Sequence, residues 1–179
     1  MEIRRLPAEE AAVRRYAEEL WVPYNRELEA VVESHTLADD VDLVDEQVPW
    51  ALEKLEATDY RIAVAIDTDE AGSIAGTDAT LAGFIATDRD PCPSVFDRPD
   101  RVVVCDIYVR EPYRGTGLAH HLMSRAGTRA DEAGCSEAVL SVDVDNDRAL
   151  AFYGKSGFEP LRHRMRVDVA DLDGWDEKQ

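Results

Sequence analysis

Residues 111–123, EPYRGTGLAHHLM, hold the densest set of residues whose type and spacing bear on chemistry. Gly115, Thr116, Gly117 and Ala119 leave little side chain at the mouth of an expected helix. Free N–H groups and the positive end of a helix dipole make such a mouth an anion site. Glycine lets a phosphate approach the backbone with no Cβ in the way. Arg114 adds a cation at the rim, so the loop has the chemistry of a pyrophosphate cradle. A Walker loop requires GxxxxGK[ST], and no lysine follows these glycines. The dinucleotide pattern GxGxxG begins at Gly115 and Gly117 but meets His120 where its third glycine belongs. A tight strand-to-helix turn without a ligand is the alternative reading of the same residues.

Asn146 and Tyr153 form the second candidate set. They are seven residues apart, so they share a helix face if the helix begins early enough. Asn146 is equally a good helix N-cap, and Tyr153 equally a core aromatic with a satisfied hydroxyl. His120 and His121 fall in the first helical turn after the glycine loop, one at the phosphate edge and one on solvent. His35 and His163 are isolated, so no metal centre is expected. Cys92, Cys105 and Cys135 show no CxxC or CxxH spacing, which indicates neither a zinc site nor a disulfide framework.

These residues need elements to hold them. Residues 2–6 predict a short strand. Val13, Tyr16, Ala17, Leu20 and Trp21 recur at helical spacing within 7–37, with Pro23 ending that helix or starting another. Residues 38–48, ADDVDLVDEQV, read as an acidic loop, and 49–57 as a helix with Pro49 in its first turn. Strands are predicted at 60–66 and 80–88, joined by the hairpin loop DTDEAGSIAGTD. DPCPSVFDRPD carries three prolines and predicts an irregular connection. VVVCDIYV, 102–109, is the strongest strand, dense in β-branched residues. The following helix has Leu118, Leu122, Met123 and Ala126 on one face and closes at Gly134. A strand at 137–144, a short helix capped by Asp145 or Asn146, a last strand at 162–170 and the tail LDGWDEKQ complete the reading. The pattern is α+β, and the 179 residues suit one domain over 1–179.

The loop and the second set together resemble the GNAT superfamily of N-acetyltransferases. The family's coenzyme A signature, Arg or Gln, two residues, Gly, one residue, Gly or Ala, is matched by Arg114-Gly115-Thr116-Gly117-Leu118-Ala119. The lead-in DIYVREPYRG resembles the family's strand, proline and arginine, and NDRALAFYGKSGFEP resembles its second signature. Both lie within 102–160. The resemblance implies a GNAT-like fold, a mixed, mostly antiparallel central sheet flanked by helices and splayed at its centre to hold coenzyme A. It implies that backbone groups of Ile107, Tyr108 and Val109 line the pantetheine arm and polarise the thioester carbonyl. It also implies that amides from Gly115 through His120 hold the pyrophosphate, that Asn146 contacts coenzyme A, and that Tyr153 sits by the sulfur as general acid. A homodimer is a family-level expectation.

The implied reaction is direct attack of a primary amine of a small molecule or peptide on acetyl-CoA, in a ternary complex. It needs a neutral amine, a polarised carbonyl and a stabilised thiolate. With a thiol pKa of about 8.5 and a tyrosine pKa of about 10, full proton transfer from Tyr153 is uphill by about 2 kcal/mol. A hydrogen bond to the forming thiolate is the easier role. Many relatives carry a glutamate on the strand before the loop or on the strand before the tyrosine helix. The comparable positions here are Cys105 and Ser141, with Asp106 and Asp143 close by. Asp106 is the candidate base; Asp143 and a proton path through water are the alternatives. A weak base suits an α-amine, neutral in about a tenth of molecules at pH 7 with a pKa near 8, over a lysine-like amine, neutral in about one in 2,500. The acidic segment 38–48 hints instead at a cationic acceptor, and CDIYVREPYRG resembles the polyamine acetyltransferase branch. The rival function is a non-catalytic acyl-CoA-binding sensor of the same fold.

Composition narrows the setting. The net charge is −18, from 38 acidic and 20 basic residues, which argues against nucleic acid as a partner. Such a surface is tolerated in very high salt, where self-repulsion is screened, so a salt-loving source is expected. Binding of cationic ligands is the other explanation. Hydrophobic residues make up 45% of the chain, yet no stretch approaches the roughly 20 apolar residues of a membrane span, and the first residues lack a signal-peptide core. A cytoplasmic protein without membrane partners is expected.

Overall fold

A computed structural model describes residues 1–57, 59–68, 73–76 and 79–172. The chain divides into two compact units, Met1–Asp145 and Asn146–Gln179. The first is built on strands β1 (Glu2–Arg5), β2 (Arg61–Asp67), β3 (Thr80–Asp90), β4 (Arg101–Val109) and β5 (Glu137–Leu140). They lie in sequence order in one sheet, and every pairing is antiparallel except β4 with β5. Helices cover both faces, so the fold is the mixed α+β arrangement expected.

One face carries α1 (Glu10–Tyr16), α2 (Val22–Glu29) and α3 (Leu43–Ala57). Their apolar stripes bury Val13, Tyr16, Leu20 and Ala51 against Ile62, Val64, Ile66 and Phe84 of the sheet. Between α1 and α2 the backbone makes a π-turn at Ala17–Trp21, where the Val22 N–H reaches back to the Ala17 carbonyl. The cause is Pro23, which has no N–H and whose ring collides with a carbonyl four residues back in a regular helix. The wider turn absorbs the proline without breaking the helix. Pro23 therefore both ends one helix and starts the next.

Helix α3 begins earlier than Pro49 suggests. Asp42 accepts hydrogen bonds from the amides of Val44 and Asp45 at 2.9 and 3.0 Å, capping a helix that starts at Leu43. Half of the expected acidic loop is thus helical, and Pro49 sits inside the helix.

The other face of the sheet carries α4 (Leu118–Glu132), which buries Leu118, Leu122 and Ala126 against Ile85, Val104 and Val109. It ends in a Schellman motif. The Cys135 amide reaches the Ala130 carbonyl at 2.8 Å and the Gly134 amide the Asp131 carbonyl at 3.1 Å, with Gly134 at φ 68°.

β5 is only four residues long, so the strand expected over 137–144 stops at Leu140. Two of the aspartates that follow are fixed by the segment after α2. The Glu33 amide donates to the Asp145 carboxylate at 3.0 Å, and Ser34 Oγ to Asp143 at 3.5 Å.

The second unit contains α5 (Asp147–Lys155) and a short 3-10 turn at Val169–Leu172. The strand expected at 162–170 is absent: these residues are exposed, and all up to Asp168 lack regular structure. Their apolar–polar alternation has no ladder to pair with, and alternation alone does not hold a strand. The expected tail, beyond Leu172, and parts of the hairpin loop at 69–72 and 77–78 lie outside the described residues.

Candidate active site

The site in the first unit grows out of an irregularity in β4. Pairing of β3 with β4 runs Ala86 to Asp106 and then Thr87 to Val104, so Cys105 is an extra residue, a β-bulge. The bulge reverses which face each parity meets. Before it Val102 and Val104 point to the α4 side; after it Ile107 and Val109 do. Tyr108 consequently falls on the α1–α3 side. The same point ends the pairing on the other edge, where the last β4–β5 pair is Val104 with Leu140. From Asp106 to Val109, β4 therefore has a partner on the β3 side alone. The sheet thus opens at this point and leaves Ile107, Tyr108 and Val109 without a strand partner on the β5 side.

The unpaired edge leads into the glycine loop. Gly115 and Gly117 have φ of 77° and 90°, conformations that an L-residue adopts only at a cost. A Cβ built on either meets no atom within 4 Å, so both glycines face open space. That space and the orphan amides at the start of α4 fit an approaching phosphate. Among the described residues the first-turn amides of Leu118 and Ala119 meet no backbone acceptor. The His120 amide donates to the Gly117 carbonyl at 3.0 Å, so it is engaged within the helix. Thr116 Oγ1 donates to the Tyr113 carbonyl at 2.7 Å and braces the loop from inside.

Arg114 is not an open cation at the rim. Its Nε donates to the Val109 carbonyl at 2.9 Å, and its guanidinium pairs with Glu27 of α2. Glu27 also accepts from the Tyr108 hydroxyl at 2.7 Å. Burial and this bond to a carboxylate push the Tyr108 phenol up to about 12. The Arg114 guanidinium lies 5.8 Å from the Tyr108 ring centroid. Glu27 thus joins α2, β4 and the loop. It was not singled out from sequence, although it lies three residues from Tyr24, on the same helix face.

Asp106 sits beyond the bulge, in the region packed by aromatic side chains. Burial raises its carboxyl above the usual range, opposed by a hydrogen bond from Tyr24 and by His35. Tyr16 and Tyr60 feel its charge, and burial raises their phenols. Tyr24 packs against Phe84 and Tyr108, each with ring centroids 5.7 Å apart. Trp50 stacks edgewise on Tyr60 at 5.7 Å. Cys105 itself, the extra residue of the bulge, is exposed.

In the second unit Asn146 is the N-cap of α5, its side-chain oxygen accepting from the Ala149 amide at 3.1 Å. This leaves its two side-chain N–H donors for other partners. Tyr153 is half-buried, with ring centroids 5.5 Å from Phe152 and 5.7 Å from Phe158. The Gly-Phe ending has a local cause. Gly157, at φ 88°, closes a Schellman motif in which the Phe158 amide reaches the Tyr153 carbonyl at 3.0 Å. The Phe158 ring then covers Tyr153, the apolar contact that accompanies this cap. Among the described residues no cluster of His, Cys, Asp and Glu is arranged to hold a metal.

Comparison with known proteins agrees with this fold. A 58-residue stretch is 43% identical to the N-alpha-acetyltransferase MAK3 of Arabidopsis thaliana, covering 32% of this chain and 30% of that protein. The fold matches a tetramutant of the BH1408 protein of Bacillus halodurans with a TM-score of 0.68 at 14% identity, over 94% of this chain and 100% of that one. It matches ribosomal-protein-alanine N-acetyltransferase of Brucella melitensis with a TM-score of 0.64 at 17% identity, over 94% and 99%. The sequence profile of the Acetyltransferase (GNAT) family matches residues 13–158. That span contains the bulged strand, the glycine loop and the tyrosine helix, and the chain belongs to the GNAT acetyltransferase family.

Proposed function

We propose that the protein transfers the acetyl group of acetyl-CoA to a primary amine of a small molecule or peptide by direct attack, without an acyl-enzyme step. The observation that carries this reading is the unpaired edge of β4 from Asp106 to Val109, running straight into the loop at the start of α4. When bound, acetyl-CoA supplies an activated thioester carbonyl and a thiolate leaving group. The chain's own residues bind and orient it: β4 backbone groups along the arm, and amides of Gly115 through Ala119 at the pyrophosphate. Asp106 accepts the proton of the acceptor amine at its carboxylate. Its raised affinity for a proton suits that task better than an ordinary exposed aspartate. Tyr153 donates a hydrogen bond to the departing sulfur, and Asn146 uses its N–H groups on coenzyme A, roles taken from the family resemblance.

An α-amine acceptor is favoured. Asp106 is still a weak base, and the stretch similar to N-alpha-acetyltransferase MAK3 points the same way. The test is thiol release from acetyl-CoA in molar salt against peptide N-termini, amino acids, polyamines and aminoglycosides. Peptide- or amino-acid-dependent release is expected, reduced about 100-fold or more in Tyr153→Phe and in Asp106→Asn. Tight coenzyme A binding with no release from any amine would replace this reading with that of an acyl-CoA sensor.

A further inference from the structure

Far from the glycine loop, the opposite end of α4 covers a cavity of about 130 Å³. Its walls carry Arg5 at the end of β1, Arg61 at the start of β2, and Arg125 and Arg129 on successive turns of α4. Its floor is apolar, with Ile85 and Ala126, and the buried Thr87 adds a hydroxyl. Glu132 is the one carboxylate in the lining among the described residues. Four guanidinium groups line this one cavity in a chain whose net charge is −18, and like charges at close range repel.

Internal partners take up part of this charge: Arg129 pairs with the Asp59 carboxylate at 3.4 Å, and Arg61 donates to the Tyr60 carbonyl at 2.8 Å. Arg129 gives one nitrogen to the Asp59 carbonyl at 2.9 Å, yet its Nε is buried with no acceptor. Burial, with Arg5 and Arg129 as like-charged neighbours, lowers Arg61 from the usual guanidinium value, opposed by Asp59 and Asp88. Planar guanidinium forks match the oxygens of a tetrahedral anion, and arginine holds its charge when partly desolvated.

We propose that this cavity is a binding site for a small tetrahedral oxyanion of the phosphate class. Its volume admits a free anion. It is separate from the glycine loop, because twelve residues of helix between Gly117 and Arg129 span about 18 Å. The site does not depend on the acetyl-transfer reading, and it would tie β1, β2 and the last turns of α4 together through one ligand.

The experiment is calorimetric titration of inorganic phosphate into the full chain, with ionic strength held constant by chloride. It is run with and without saturating coenzyme A, on wild type, Arg61→Gln and Arg125→Gln. One phosphate per chain is expected in the presence of coenzyme A, with binding weakened about tenfold or more in each variant. Two variants on different elements guard against a local fold defect in either, which circular dichroism would reveal. No heat above the chloride background overturns the proposal. Binding that coenzyme A abolishes, or that both variants leave intact, would place phosphate on the glycine loop and overturn it equally.

Discussion

Gly83 gives a quantitative test of how the β3–β4 pair is built. An ideal Cβ at this position falls 2.4 Å from the Tyr108 carbonyl oxygen and 3.2 Å from Val109 Cα. Ordinary contact begins at 3.4 Å, so alanine must drive that oxygen back by roughly 1 Å. Both obstructing atoms are backbone within the ladder, and no rotamer change can relieve them. Gly83 lies outside the left-handed region, so alanine has no conformational penalty there. Reduced freedom of the unfolded chain favours alanine by about 0.4–1 kcal/mol. Overpacking opposes it by about 1–3 kcal/mol. Gly83→Ala should therefore destabilise by about 1–2 kcal/mol net, a fall in Tm of about 2–8 °C. Urea unfolding measures the stability. Hydrogen exchange at the Arg110 amide, which donates to the Ala82 carbonyl at 2.9 Å, reports whether the strands separate at that spot. Unchanged stability together with unchanged Arg110 protection would refute the steric argument.

Three other outcomes follow from the same structure. The acid limb of the kcat/KM profile should lie above the pH of an ordinary carboxylate. Asp106 must lose its proton to act, and burial makes it hold that proton to higher pH; Asp106→Asn should remove the limb, and a limb that survives would assign it to another group. Gly134→Ala should lower stability by about 1–2 kcal/mol, from φ 68° with no clash, and Gly134→Asn should lower it less; equal losses in thermal unfolding would contradict the left-handed cause. We also propose that the charge of −18 adapts the protein to concentrated salt, so the unfolding midpoint should rise from low to molar sodium chloride as the screening length falls from about 10 to about 3 Å; a flat response would dismiss it.

The loop, its flanking strand and α4 were legible because their signals are local. β-branched residues mark β4, paired glycines mark the left-handed turn, and Gly134 marks the helix end. Asn146 was legible as a cap for the same reason. What sequence did not show depends on partners. The bulge at Cys105 is defined against β3, so alternation could not tell that Asp106 and Tyr108 follow a reversed parity. The Glu27 bridge to Tyr108 and Arg114 joins residues 81 and 87 positions apart. Asp42 did carry a capping signal for α3, hidden in an acidic run and contradicted by Pro49. The alternation at 162–170 is a strand pattern whose residues stand exposed without a ladder.

The π-turn at Ala17–Trp21 also bears on how this chain can change in length. It holds one residue more than a regular turn needs, and the wider turn takes up that residue while α1 and α2 keep their facing. Deleting one residue there would close the wide turn into a regular one and leave Tyr24 on Phe84 and Glu27 by Tyr108 and Arg114. Pro23 would then meet the carbonyl that the wide turn now keeps clear. A single-residue deletion should therefore be tolerated here only together with replacement of Pro23.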